Sequence, residues 1–124
     1  AWLRIQNNII QESRKSNPHR LTIRWEYVDD GGDGKPPLEL KDRFRALEDA
    51  LYESIQKDGT GILSLVLTTA GSREWHVHFS DAEAVQGSIN AAFSKLPDMP
   101  ISLTGKLDPD WSEYSFFESN LIGD

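Results

Sequence analysis

Cysteine is absent from this sequence, which excludes disulfides, thiol nucleophiles and cysteine-ligated zinc. A reducing cytoplasm suits such a chain and is the expected location, although cysteine-free domains fold in any compartment. Long apolar runs are also missing. No stretch approaches the ~20 residues that span a bilayer, and no basic segment leads into an apolar one as in a signal peptide. The chain opens on Ala1 without a methionine and runs straight into apolar residues, which points to further residues upstream. Positive charge is scarce: 13 Lys and Arg stand against 20 Asp and Glu, for a net charge of −7. That argues against nonspecific binding to nucleic acid or anionic membranes, both of which need clustered cations. No internal repeat is visible.

What is present describes a folded domain. At 124 residues, 38% hydrophobic and 27% charged, the chain is long enough to bury a core without staples, and residues 1–124 are expected to form one domain. The charge is uneven. Residues 1–24 carry Arg4, Arg14, Lys15, Arg20 and Arg24 against Glu12, whereas residues 98–124 carry Asp98, Asp108, Asp110, Glu113, Glu118 and Asp124 against Lys106. Such polarity can steer a basic partner, or it can simply keep the surface solvated.

Periodicity orders the elements. Trp2 to Gln6 alternates and reads as a short strand. Gln11 to Pro18 is polar, ends in Asn17-Pro18 and reads as a loop. Leu21, Ile23, Trp25 and Tyr27 alternate with polar residues as a half-buried strand. Asp29 to Pro37 is a glycine- and proline-rich loop. Leu40, Phe44, Leu47, Leu51 and Ile55 share one helical face over about 38–57, stopped at Gly59. Gly61–Thr69 and Arg73–Phe79 form a hairpin about Ala70-Gly71-Ser72. A second helix over about 81–96 is capped by Ser80 or Asp81 and stopped by Pro97. Ile101 and Leu103 belong to a last core strand. Asp108-Pro109 then opens a short helix with Asp108 as cap and Pro109 at its first position. Without the leading strand and the tail, the order is βαββαβ. The expected fold is thus an α+β, ferredoxin-like two-layer sandwich, with both helices on one face of an antiparallel sheet. Glu74, His76 and His78 should then line the sheet's open face.

The chain resembles the bacterial family catalogued as domain of unknown function 695. The likeness rests on Ile23-Arg24-Trp25-Glu26-Tyr27, the Gly34-Lys35-Pro36-Pro37 turn, and Ala46-Leu47-Glu48-Asp49-Ala50-Leu51. It continues through Thr68-Thr69-Ala70-Gly71-Ser72-Arg73-Glu74-Trp75 and Asp108-Pro109-Asp110-Trp111-Ser112-Glu113-Tyr114. These blocks span most of the chain in family order. Family members typically carry Phe or Tyr where this chain has His76 and His78, so the resemblance marks neither histidine as a family site. It implies a fold and no mechanism. A looser likeness, at fold level only, is to the regulator of ribonuclease activity B, which acts by binding an enzyme.

Several residues could carry chemistry. Glu74, His76 and His78 project to one side of a strand and are a weak metal-ligand set, needing a third convergent group such as Glu26 or His19. Polar residues on a solvated sheet face are the plainer explanation. Asp29, Asp30 and Asp33 with their glycines fail the EF-hand pattern, because Gly31 and Leu40 fall at ligand positions. Gly34-Lys35 is followed by Pro36, where a phosphate loop needs Ser or Thr. No serine elbow is present, and the histidines have no recognisable Ser or Asp context. Trp111, Tyr114 and Phe117 recur every three residues. Capping the core is the first expectation for them; an acidic, aromatic partner surface is the alternative.

The leading functional expectation is a non-enzymatic protein-binding domain without cofactor. In its sharpest form it is an acidic inhibitor or immunity protein that blocks a basic toxin or nuclease. Its contacts would be Asp29, Asp30, Asp33, Asp108, Asp110, Trp111, Glu113 and Tyr114. The alternative is a metal- or small-ligand-dependent enzyme using the Glu74, His76 and His78 face. A third reading is a module that oligomerises through an open sheet edge.

Overall fold

The computed structural model describes residues 2–7, 9–28 and 36–122. Five strands, β1 (Trp2–Ile5), β2 (His19–Glu26), β3 (Ile62–Thr69), β4 (Ser72–Phe79) and β5 (Ile101–Leu107), pair antiparallel in the order β1-β3-β4-β2-β5. The helices are α1 (Gln11–Ser16), α2 (Leu38–Leu51), α3 (Ala82–Ser94) and α4 (Ser112–Phe117), with π-helical turns at Tyr52–Gln56 and Glu118–Ile122. The mixed α and β architecture agrees with the periodicity. The leading strand joins the sheet beside β3. No described helix is long and apolar enough to cross a membrane.

Strand alternation sorts the side chains onto two unlike faces. Ile23 lies opposite Trp75, and Leu21 opposite Val77, so the apolar positions of β2 and β4 share one side. There they meet Phe44, Leu47 and Leu51 of α2, Ile55, and Val85 and Ile89 of α3 in the main core. Phe44 stands edge-on to both Trp25 and Trp75, with centroids 5.0 and 5.6 Å away, an arrangement that aromatic quadrupoles favour. The hairpin closes through Ala70 and Gly71, and Gly71 takes φ +90, a conformation open to glycine at little cost. At α3, the Asp81 carboxylate accepts from the Glu83 and Ala84 N–H groups at 3.0 and 3.3 Å. Asp81→Ala should therefore lower stability by about 1 kcal/mol, read as a lower urea midpoint at unchanged slope.

Three expectations need correction. The polar stretch before Pro18 is helical at Gln11–Ser16, not a loop. It lacks an apolar period because tertiary contacts hold it: Trp111 Nε1 donates to the Arg14 and Asn17 carbonyls at 3.1 and 2.9 Å, at the end of the helix where carbonyls run short of intrahelical partners. Secondly, α4 starts at Ser112, three residues beyond the expected Pro109, with Trp111 as its N-cap residue at φ 50, ψ 53. Asp108 still supplies a cap, since its Oδ1 accepts from Ser112 N at 3.0 Å.

Thirdly, the face expected to be open is covered. His76 and His78 are each only 1% exposed. Ile9, Trp111 and Tyr114 form a second buried cluster packed against Ile5 and Ile62. The chain's own tail and the segment around α1 fill the place where a ligand was conceivable. Of the two expectations for the tail aromatics, capping the core is what Trp111 and Tyr114 do.

Candidate functional site

The polar residues of β4 do converge, but on protein rather than on solvent. Their neighbours follow from register: Arg20, Thr22 and Arg24 of β2 stand opposite His78, His76 and Glu74, so two of the three cross-strand pairs set a guanidinium against an imidazole or a carboxylate. The β3–β4 ladder shifts between Leu63 and Leu65. That bulge leaves Ser64 without a cross-strand partner, and its hydroxyl turns onto His78.

His78 is held at both nitrogens. Ser64 Oγ lies 2.7 Å from Nδ1, and Asp108 Oδ2 lies 3.0 Å from Nε2. The indole of Trp111 stacks on the ring at 3.7 Å and 14°. Burial lowers the His78 pKa to about 4, against the opposing pull of Asp108 and with help from the charges of His76 and Arg20. For Asp108, burial works to raise the carboxyl. Hydrogen bonds from Ser112 and His78, with the charge of Arg20, outweigh it and hold the group below the usual carboxylate range. A carboxylate at Nε2 demands a proton there, so Nε2–H donates to Asp108, and Nδ1 shares the single Ser64 hydroxyl proton with the His76 carbonyl, 3.1 Å from Oγ.

Ser64, His78 and Asp108 therefore stand in the order of a nucleophilic triad, a Ser and Asp context that the sequence did not reveal. The arrangement cannot act as one. Ser64 is 0% exposed, the indole of Trp111 covers the imidazole, and a nucleophile must reach the atom it attacks. What it can do is fasten the tail: Asp108 ties β4 to the start of α4, its Oδ2 meeting His78 and its Oδ1 accepting from the Ser112 N–H and hydroxyl.

His76 sits between two carboxylates, with Glu74 Oε1 2.9 Å from Nε2 and Glu113 Oε2 3.4 Å from Nδ1. Glu74 also accepts from Arg24 Nη1 at 2.9 Å. The His76 hydrogen bond and the neighbouring positive charges lower the Glu74 pKa in spite of burial. Glu113 Oε2 faces the buried Arg20 Nη1 at 3.2 Å. Glu74, His76 and Glu113 each offer a ligand atom within 4.8 Å of the others, so the third group beside the β4 pair is Glu113, and neither Glu26 nor His19. Glu26 is drawn to Arg24, and His19 stacks on Phe79. Two arginines already neutralise these two carboxylates, and a metal ion would have to displace them. His78 is no ligand, because both its nitrogens are taken.

The tail is clamped at its far end as well. Arg14 donates from Nη1 and Nη2 to the two Glu118 oxygens at 3.0 and 2.8 Å, a bidentate pair that lowers the Glu118 pKa. Tyr114 donates to the Gln6 carbonyl at 2.6 Å.

The expected contact surface is accordingly divided. Asp108, Trp111 and Tyr114 lie inside and are unavailable to a partner, because the sheet face consumes them. Asp110 and Glu113 remain exposed. Phe116 of α4, which sequence reasoning did not single out, keeps 59% of its surface in solvent. Asp29, Asp30 and Asp33 lie outside the described residues.

A family model described as a family of unknown function, DUF695, matches residues 3–117. The chain belongs to this family. In this DUF695 chain the match runs from β1 through the last residue of α4, so the tail that closes the second face lies within the family unit. No curated protein and no solved structure matches the chain.

Proposed function

We propose that this DUF695 chain is a non-enzymatic protein-binding domain, in its sharpest form an acidic inhibitor or immunity-type protein that covers a basic face of a toxin or nuclease. The observation that carries the reading is the outer surface of α4. Phe116 stands in solvent on the same short element as the exposed Glu113, just after the exposed Asp110. An exposed aromatic on an acidic segment is what a basic partner engages: the ring supplies the desolvated anchor and the acids supply steering. The imidazole and hydroxyl groups that could do chemistry are occupied in seating the tail, which favours binding over catalysis. A cytoplasmic location and a ferredoxin-like core belong to the same proposal. The order β3-β4-β2-β5, with α2 and α3 as the two crossovers, supports the latter, and β1 would be its addition.

Asp110 and Phe116 point outward, so replacing them leaves both cores untouched. Immobilised chain should retain a single basic protein from a lysate of its source organism at low salt, and release it as salt rises. The double variant D110K/F116S should retain ~10-fold less or below. Retention of the same protein at equal strength by the double variant would place the interface elsewhere and remove the support for this reading.

A further inference from the structure

A separate concavity lies on the helix side of the sheet, where α2 begins. Helical spacing brings Lys41, Phe44, Arg45 and Glu48 to one face of α2, at i, i+3, i+4 and i+7. Strand parity brings Arg4, Thr68 and Arg73 to meet them, since Thr68 is the cross-strand partner of Arg73 and Arg73 shares a side with Trp75. Between the two sets is a cleft of about 420 Å³, within the size range of small-molecule sites.

Its charge runs against that of the molecule. Among the described residues, four cations, Arg4, Lys41, Arg45 and Arg73, line the cleft in a chain of net charge −7, and Glu48 is the one acid. Glu48 Oε1 is already shared: it pairs with Arg4, accepts from Trp75 Nε1 at 3.1 Å and lies 3.6 Å from Arg73 Nη2. Lys41 and Arg45 have no ion-pair partner among the described residues. Arg73 is mostly buried, donates from Nη1 to Thr68 Oγ1 at 3.2 Å, and has a buried Nε with no hydrogen-bond partner. A buried, unpaired guanidinium N–H costs free energy that an acceptor would recover. Burial also lowers the Arg73 pKa, ahead of the opposing charge of Glu48.

We propose that this cleft binds a small organic phosphate, with Arg73, Lys41, Arg45 and Arg4 holding the phosphoryl oxygens and the Phe44 ring side of the cleft taking the organic group. The excess of positive charge suits a dianion better than a single carboxylate. Guanidinium forks match phosphate oxygens geometrically. The volume leaves room beyond the anion, and the cleft's apolar lining is Pro36 and the edge of Phe44, a ring otherwise buried beneath the Arg73 guanidinium. This inference is independent of the α4 surface and of any protein partner.

Titration calorimetry of the whole chain with phenyl phosphate, inorganic phosphate and benzoate at ~150 mM salt tests it. Phenyl phosphate should bind saturably and more tightly than inorganic phosphate, with benzoate weakest. K41Q/R45Q, a pair of exposed positions outside the core, should keep the circular dichroism of the parent and lose ~10- to 100-fold in phenyl phosphate affinity. Arg73→Lys, which keeps the charge and discards the fork, should weaken binding as well. No saturable heat with phenyl phosphate, equal affinity for benzoate, or affinity within twofold in K41Q/R45Q would each overturn the proposal.

Discussion

Trp111→Ala should destabilise the fold by roughly 3–5 kcal/mol, the upper range for truncating a buried aromatic. The Trp111 side chain joins several parts of the second cluster. It is 0% exposed, stacks on His78, meets Tyr114 edge-on at 5.3 Å and 87°, and donates to two carbonyls at the end of α1. Its backbone sits at φ 50, which for a bulky residue costs about 1–2 kcal/mol. That conformation persists because the indole is buried; alanine keeps the backbone cost and forfeits the burial. Since whole domains are stable by only about 5–15 kcal/mol, a large share of the margin rests on this residue. Urea unfolding monitored by far-UV circular dichroism gives the number. A loss below ~1 kcal/mol, the size expected of a surface substitution, would mean that the tail does not cover the sheet.

Acid should weaken the protein in two stages, the first beginning above the carboxylate range. In the folded chain His78 stays neutral down to about pH 4, whereas an unfolded imidazole takes up its proton near ~6.5. Between those values the unfolded state binds more protons, so stability rises with pH there. The contribution is complete above pH ~6.5 and is lost progressively toward 4, amounting to roughly 3 kcal/mol at most. Asp108, Glu74 and Glu118 act lower. Each has a folded pKa below its ordinary value, so each stabilises above the unfolded carboxylate pKa and ceases to do so as pH falls through the folded one. Unfolding free energies at intervals from pH 7.5 to 3.5 should show the first decline in the parent. His78→Asn, less stable throughout, should show less decline between 6.5 and 4. Parallel curves for parent and variant across that interval would sink the assignment.

Much of the helix side was legible in the sequence. Phe44, Leu47, Leu51 and Ile55 announce their face by spacing, Trp75, Val77 and Phe79 by alternation, and Asp81 by its place before an apolar stripe. The other side was not legible, for reasons that lie in particular residues. Gln11–Ser16 has no apolar face of its own and is helical because Trp111 reaches its carbonyls. Trp111 gets there through a left-handed backbone conformation that no local signal marks in a tryptophan. Ser64 meets His78 only because of a bulge. One signal was available: Arg20, Thr22 and Arg24 alternate in step with Glu74, His76 and His78, and pairing β2 with β4 brings Arg24 against Glu74. Lys41, Arg45 and Glu48 likewise share a helical spacing with Phe44, and charge together with periodicity would have placed them beside the core's edge.

The most direct test of the covered face is the imidazole of His78 itself. A ¹H–¹⁵N titration of the histidine side chains should find His78 as the Nε2–H tautomer, neutral and unchanged from pH 8 to below 5, and protonating only near 4. A His78 that titrates near ~6.5, as a solvated imidazole does, would contradict the seating of Trp111 and Asp108 over the sheet and the account built on it.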